Sequence, residues 1–143
     1  MVSKQDGVAL LQGVPLFSGL SKKELAAIWQ FMRVVSHDDG HQIVVEGKKG
    51  QGFHLILDGE VSVRRKNRRI RLAKGDFFGE MALIDDGPRS ATVTAVGPVT
   101  TASIASWEFK SLAADNAAFL WKLLLVMTAR LRDEQAASAN LVS

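Results

Sequence analysis

Residues 77–93 read FFGEMALIDDGPRSATV, and this stretch gathers the side chains best suited to chemistry in a chain of 143 residues. Glu80 and Arg89 stand nine residues apart, with Gly79 ahead of the acid and Ser90 after the arginine. A glycine has no Cβ, so the backbone at 79 can come close to a bound group. If EMALI makes one or two helical turns, the amides of Glu80, Met81 and Ala82 point out of its N-terminus without intrahelical partners. That arrangement favours an anion. Arg89 can hold a phosphate through two parallel N–H bonds, which lysine cannot do, and Ser90 adds a hydroxyl. Glu80 is repelled by a phosphate and suits a sugar hydroxyl instead.

A compact ligand with a phosphate beside a free ribose hydroxyl fits both ends, which describes a 3′,5′-cyclic nucleotide. The charge spacing alone equally admits a Glu80–Arg89 ion pair across a turn, worth about 0–1 kcal/mol if exposed. Other chemistries lack their parts. GKKGQGF (47–53) has two glycines at phosphate-loop spacing but no following Lys-Ser/Thr, so it reads as a strand-to-strand turn. There is no Gly-x-Ser-x-Gly elbow. His37 and His41 lie in a turn and His54 on a strand, a poor basis for a metal site. The pairs Asp38–Asp39 and Asp85–Asp86 are each followed by glycine and read as turn formers. The expectation is no catalytic residues, no metal and no enzyme.

The elements that must position this stretch show a change of period. Residues 5–32 read as helical, with Leu25, Ile28, Trp29 and Met32 at spacings of three and four. Ser21 and Glu24 have capping-box spacing, and VPLFSGL (14–20) forms a turn. From 33 to 105 short β-rich runs alternate with glycines at 40, 47, 59, 75, 87 and 97. That spacing predicts an antiparallel β-roll or jelly-roll barrel. Ser106 is the expected cap of a short helix, and a long one follows, so that helices occupy 106–137. The fold class is α+β, mainly β: one domain over 1–143, with a roll flanked by N-terminal helices and two C-terminal helices.

The net charge of +3 is local. Six of the 18 basic residues lie in RRKNRRIR (64–71), leaving 12 basic against 15 acidic residues elsewhere. A nucleic-acid-binding domain more often spreads its basic residues over a face. This segment predicts a hairpin tip with Asn67 in the turn, either a solvated edge that discourages sheet pairing or a docking surface. In the last helix, Phe119, Leu123 and Val126 form one stripe, Leu120, Leu124, Met127 and Leu131 another, and Trp121 and Leu125 a third. So many apolar faces imply a lid over the ligand, a partner protein or a homodimer. The chain has no cysteine, which is compatible with a reducing cytoplasm. Its longest apolar run is too short for the roughly 20 residues of a membrane span.

The 77–93 stretch closely resembles the phosphate-binding cassette of the cyclic-nucleotide-binding domain family, found in catabolite activator proteins, cyclic-AMP-dependent kinase regulatory subunits and gated channels. LLQGVPLFSGLSKKELAAI resembles the family's helical lead-in, and GHQIVVEGKKGQGFHLILDGEVSV its paired strands. The likeness covers about residues 8–135. It implies that Gly79, Glu80, Met81 and Ala82 start the cassette helix, with Glu80 on the ribose 2′-OH. It further implies that Arg89 pairs the cyclic phosphate, that Ser90 and Ala91 add donors, and that Phe78, Val93 and Val61 line base and sugar. Arg130, Arg132, Glu134 or Gln135 would close the base end. Lys48 and Gly52 depart from the family's acidic residues, with little effect expected at a turn.

The function implied is a receptor domain for a cyclic nucleotide, cyclic AMP favoured over cyclic GMP, because Ser90 stands where cyclic-GMP-preferring relatives often carry threonine. Binding would move the C-terminal helices and signal to a partner. No downstream DNA-binding domain is expected. The alternatives are a regulatory domain of a larger channel, transporter or enzyme, and a ligand-free interaction module.

Overall fold

The computed structural model describes residues 2–49, 52–85, 87–114 and 116–142, with side chains described through 137. Helix α1 (Lys4–Gln12) starts where Ser3 Oγ accepts the Asp6 amide at 3.1 Å. A 3-10 turn, Pro15–Phe17, leads to α2 (Lys22–Phe31). Ser21 and Glu24 form the reciprocal cap: Ser21 Oγ accepts from the Glu24 amide at 3.2 Å, and Glu24 Oε1 from the Ser21 amide at 3.0 Å. The same oxygen accepts Lys122 Nζ at 2.6 Å, so a local capping signal also ties α2 to the last helix.

The roll contains β1 (Arg33–His37), β2 (Gln42–Val44), β3 (Phe53–Arg65), β4 (Arg68–Ala73), β5 (Phe77–Phe78) and β6 (Thr92–Ile104). All pairings are antiparallel. The order along the sheet is β1-β6-β3-β4, with β2 also on β6 and β5 on β3. The two-residue period of a strand divides β3 between two cores. Phe53, Leu55 and Leu57 pack with Leu11, Phe17 and Phe109 beneath the helices. Ile56 and Val61 join Ile43, Val93 and Val99 inside the roll. Two glycines expected to mark turns do not end strands. Gly59 and Gly97 lie within β3 and β6, where the ladder between those strands shifts register around Asp58 and Glu60.

The C-terminal helices are α4 (Ser106–Ala114) and α5 (Ala117–Val142). The expected cap at Ser106 is displaced by one residue. Ala105 supplies the first carbonyl, accepting Phe109 N at 3.0 Å, and its amide donates to Glu108 Oε1 at 3.2 Å. Glu108 thus closes the helix start and also binds Arg33 at 3.0 Å. Asn116 caps α5, its Oδ1 accepting the Phe119 amide at 3.0 Å. Of the three apolar stripes of α5, the first supplies the buried residues Phe119 and Leu123 and the second only the partly buried Met127, whereas Leu120, Trp121, Leu124, Leu125 and Leu131 are exposed.

Candidate functional site

Strand β5 sets the start of the cassette. His54 and Leu55 pair with Phe78 and Phe77, and the His54 ring stacks on Phe78 with centroids 4.8 Å apart. Gly79, at φ +82°, turns the chain off the strand. One helical turn, α3 (Ala82–Asp85), follows and is pinned by Leu83, which is fully buried. Asp85 Oδ1 accepts the Gly87 amide at 2.9 Å, as a turn former does, while Asp86 lies outside the described residues. The backbone of Arg89 is clamped on both sides: its amide donates to Lys48 O at 3.0 Å and its carbonyl accepts Gly47 N at 2.9 Å. Thr92 Oγ1 accepts the Glu46 amide at 3.0 Å. Residues 46–48 therefore position the arginine through main-chain groups, which a side-chain change at Lys48 leaves intact.

Both segments line one cavity of about 370 Å³, a volume usual for small-molecule sites. Its lining includes Phe78, Gly79, Glu80, Met81 and Ala82, and also Arg89, Ser90, Ala91 and Val93. Arg89 is only 8% exposed, and its Nη2 donates to Gly52 O at 2.5 Å. The glycine at 79 also makes room within the protein itself. A Cβ there would stand 2.5 Å from Arg89 Nη1 and 2.5 Å from Gly52 O, so the arginine comes close to the backbone here. Of the three amides expected to be free, that of Ala82 is not, because it donates to Gly79 O at 3.2 Å.

Glu80 sits between two cavities. It lines the large one and, with Arg130 and Met127, a smaller one of about 80 Å³ under α5. Arg130 Nη2 donates to Glu80 Oε1 at 3.0 Å, across fifty residues of sequence. Glu80 Oε2 and Arg130 Nη1 are buried without hydrogen bonds among the described residues. Arg130 thus meets the cassette acid. Val61 is fully buried in the roll, and Val44 and Val63 line the cavity in its place. Arg132, Glu134 and Gln135 are exposed and do not line it.

The family model for the cyclic nucleotide-binding domain matches residues 34–116. The chain belongs to the cyclic nucleotide-binding domain family. It is 36% identical over 104 residues to a cAMP-dependent protein kinase regulatory subunit of Eremothecium gossypii, covering 71% of this chain and 23% of that protein. It is 39% identical over 95 residues to a cGMP-dependent protein kinase of Eimeria tenella, covering 66% of this chain and 10% of that one. In structure it is similar to the N-terminal domain of a transcriptional regulator from Streptomyces coelicolor, with a TM-score of 0.80 and 26% identity. That match covers 90% of this chain and 94% of the other. The chain thus spans about a quarter or less of the two kinase relatives' lengths.

Within this cyclic nucleotide-binding domain, sequence reasoning missed Gly52 and His54. Gly52 was assigned to a turn of little consequence, yet it is buried at φ +59° and its carbonyl holds Arg89. A Cβ on it would collide with the Ile104 carbonyl. Its sequence signal, a glycine just before a strand, is common to many turns. Among the described residues no group of three or more His, Asp or Glu could hold a metal ion. No described helix is long and apolar enough to cross a membrane.

Proposed function

We propose that the domain, one unit over residues 1–143, is a cytoplasmic receptor for a 3′,5′-cyclic nucleotide, with cyclic AMP favoured over cyclic GMP. The reading rests on one observation: Glu80 and Arg89 line the same cavity. Arg89 takes the cyclic phosphate, exchanging its bond to Gly52 for a charge-assisted pair, while Ser90 and the backbone at 90–91 add donors. Glu80 accepts the ribose 2′-OH. Phe78 and Val93 supply the apolar surface for sugar and base. The role is that of a receptor rather than a catalyst.

Glu80 is also the cassette group held by α5 through Arg130, so ligand on the acid and the position of the helix are linked. A cyclic nucleotide with different affinities for two α5 positions shifts their populations. The exposed Trp121, Leu124 and Leu131 then carry the signal to a protein partner or a second copy. The small share of the kinase relatives that the matches cover favours a second reading, the regulatory domain of a larger protein. Calorimetric titration with cyclic AMP and cyclic GMP tests the receptor. Heat from neither, with no thermal stabilisation, rejects it in favour of an interaction module. Cyclic GMP binding tighter than cyclic AMP rejects the preference alone.

A further inference from the structure

The basic segment 64–71 closes the β3–β4 hairpin, with Lys66 and Asn67 as the two-residue turn and Lys66 at φ +56°. The register sets Arg65 opposite Arg68 and Arg64 opposite Arg69. Residues directly opposite share a face, and like charges so placed are destabilising. The acid that relieves this segment is Glu60, 2.9 Å from Arg71. Among the described residues Arg64, Arg65, Lys66, Arg68 and Arg69 make no ion pair. The hairpin therefore holds a charge that its own fold leaves uncompensated.

The backbone has an open side as well. Strand β4 ends the sheet order, and Arg68 through Arg71 are exposed, Ile70 by 57%. In a hairpin with a two-residue turn the closing pair, Arg65–Arg68, exchanges hydrogen bonds, so alternate residues turn their N–H and C=O outward. Those residues are Arg69, Arg71 and Ala73. Ala73 agrees with that parity: its amide donates to Asp76 Oδ2 at 2.9 Å and its carbonyl accepts Asp76 N at 2.9 Å. Arg69 and Arg71 remain, among the described residues, as the free rungs of the ladder.

We propose that the open edge of β4 docks an acidic, extended segment of a partner protein by strand addition. Arg68 and Arg69 point to opposite faces, so they take carboxylates from two consecutive residues of the added strand, whose side chains also alternate. Ile70 takes an apolar residue next, and Arg71 a further acid. A second copy of this chain is repelled, because its β4 carries the same arginines. A bilayer or a nucleic-acid duplex is disfavoured for a geometric reason. The positive charge is divided between two faces of a ribbon rather than laid on one, and neither partner satisfies backbone rungs.

The test uses the whole chain, labelled with nitrogen-15, and a capped peptide of two adjacent glutamates, a valine and a third glutamate between threonines. The expected result is shifts of the 68–73 amides that saturate with peptide, and affinity that falls with salt. The doubly reversed variant Arg68→Glu/Arg69→Glu, checked for an unchanged far-UV spectrum, should bind about tenfold or more weakly. Two further peptides carry N-methyl groups on alternate residues. One phase should abolish binding and the other be tolerated, since only one phase faces β4. Equal binding of both phases would reduce the contact to charge alone and overturn strand addition. The proposal also fails if the 68–73 amides do not shift at millimolar peptide. It fails too if phosphatidylserine vesicles or a DNA duplex bind the hairpin more tightly than the peptide does.

Discussion

Replacing Arg89 by alanine has two separable consequences. Without ligand, the substitution removes the donor to Gly52 O, a buried carbonyl now bonded at 2.5 Å. Leaving such an acceptor without its donor costs about 1–3 kcal/mol, which lowers the melting temperature of a domain this size by about 2–10 °C. With ligand, the variant lacks the charge assigned to the phosphate. At 8% exposure the guanidinium is largely shielded from water, so the pair belongs with desolvated contacts worth about 2–5 kcal/mol rather than exposed ones near zero. That energy is about 30-fold to several thousandfold in Kd. Scanning calorimetry of the free protein measures the first effect, and isothermal titration with cyclic AMP, below the variant's melting range, measures the second. Arg89→Lys should fall between wild type and alanine, since it keeps the charge and loses the two-pronged geometry. A variant that melts lower yet binds cyclic AMP within about threefold of wild type refutes the phosphate assignment, because the arginine would then matter to the free protein and not to the ligand.

Glu80→Ala should weaken cyclic AMP but leave 2′-deoxy cyclic AMP nearly unchanged relative to wild type; a large remaining difference with the deoxy analogue, measured by competition, counts against the ribose role. Gly7→Ala should destabilise the protein by about 1–3 kcal/mol by urea unfolding, because the added Cβ meets the Trp29 ring across the α1–α2 contact. Burial holds His37 below the ordinary histidine range, with His41, stacked 5.4 Å away, adding to the effect. The unfolded chain therefore takes up a proton first as pH falls below about 6.5, so stability present above that pH is lost on the way down to the folded value. His37→Gln should flatten that part of the stability–pH curve; an unchanged slope rejects the assignment. Leu124→Glu on the exposed stripe of α5 should leave cyclic nucleotide affinity unchanged and, if two copies associate there, shift sedimentation to the monomer.

The elements that were legible are those whose signals are local. The Ser21–Glu24 cap and the Asn67 turn each lie within a few residues and appear where expected. Ser106 was misplaced by one residue because a serine at a helix start is a strong cap signal, whereas Glu108 three residues beyond Ala105 satisfies the same amide. Gly59 and Gly97 read as turns because a glycine in a β-rich run marks a bulge as often as a reversal. Only their cross-strand partners distinguish the two.

Charge and spacing in 77–93 determined that an acid and an arginine bracket a short turn, since both sit on one stretch of chain whose local preferences hold without the rest of the fold. The tertiary structure alone decided what each group touches. Arg89 meets a carbonyl 37 residues earlier and Glu80 an arginine 50 residues later. Such pairs leave no periodic trace in the sequence, because they arise when β3, the cassette and α5 are packed together. It is that packing, and the desolvation it brings, that gives each charge its partner.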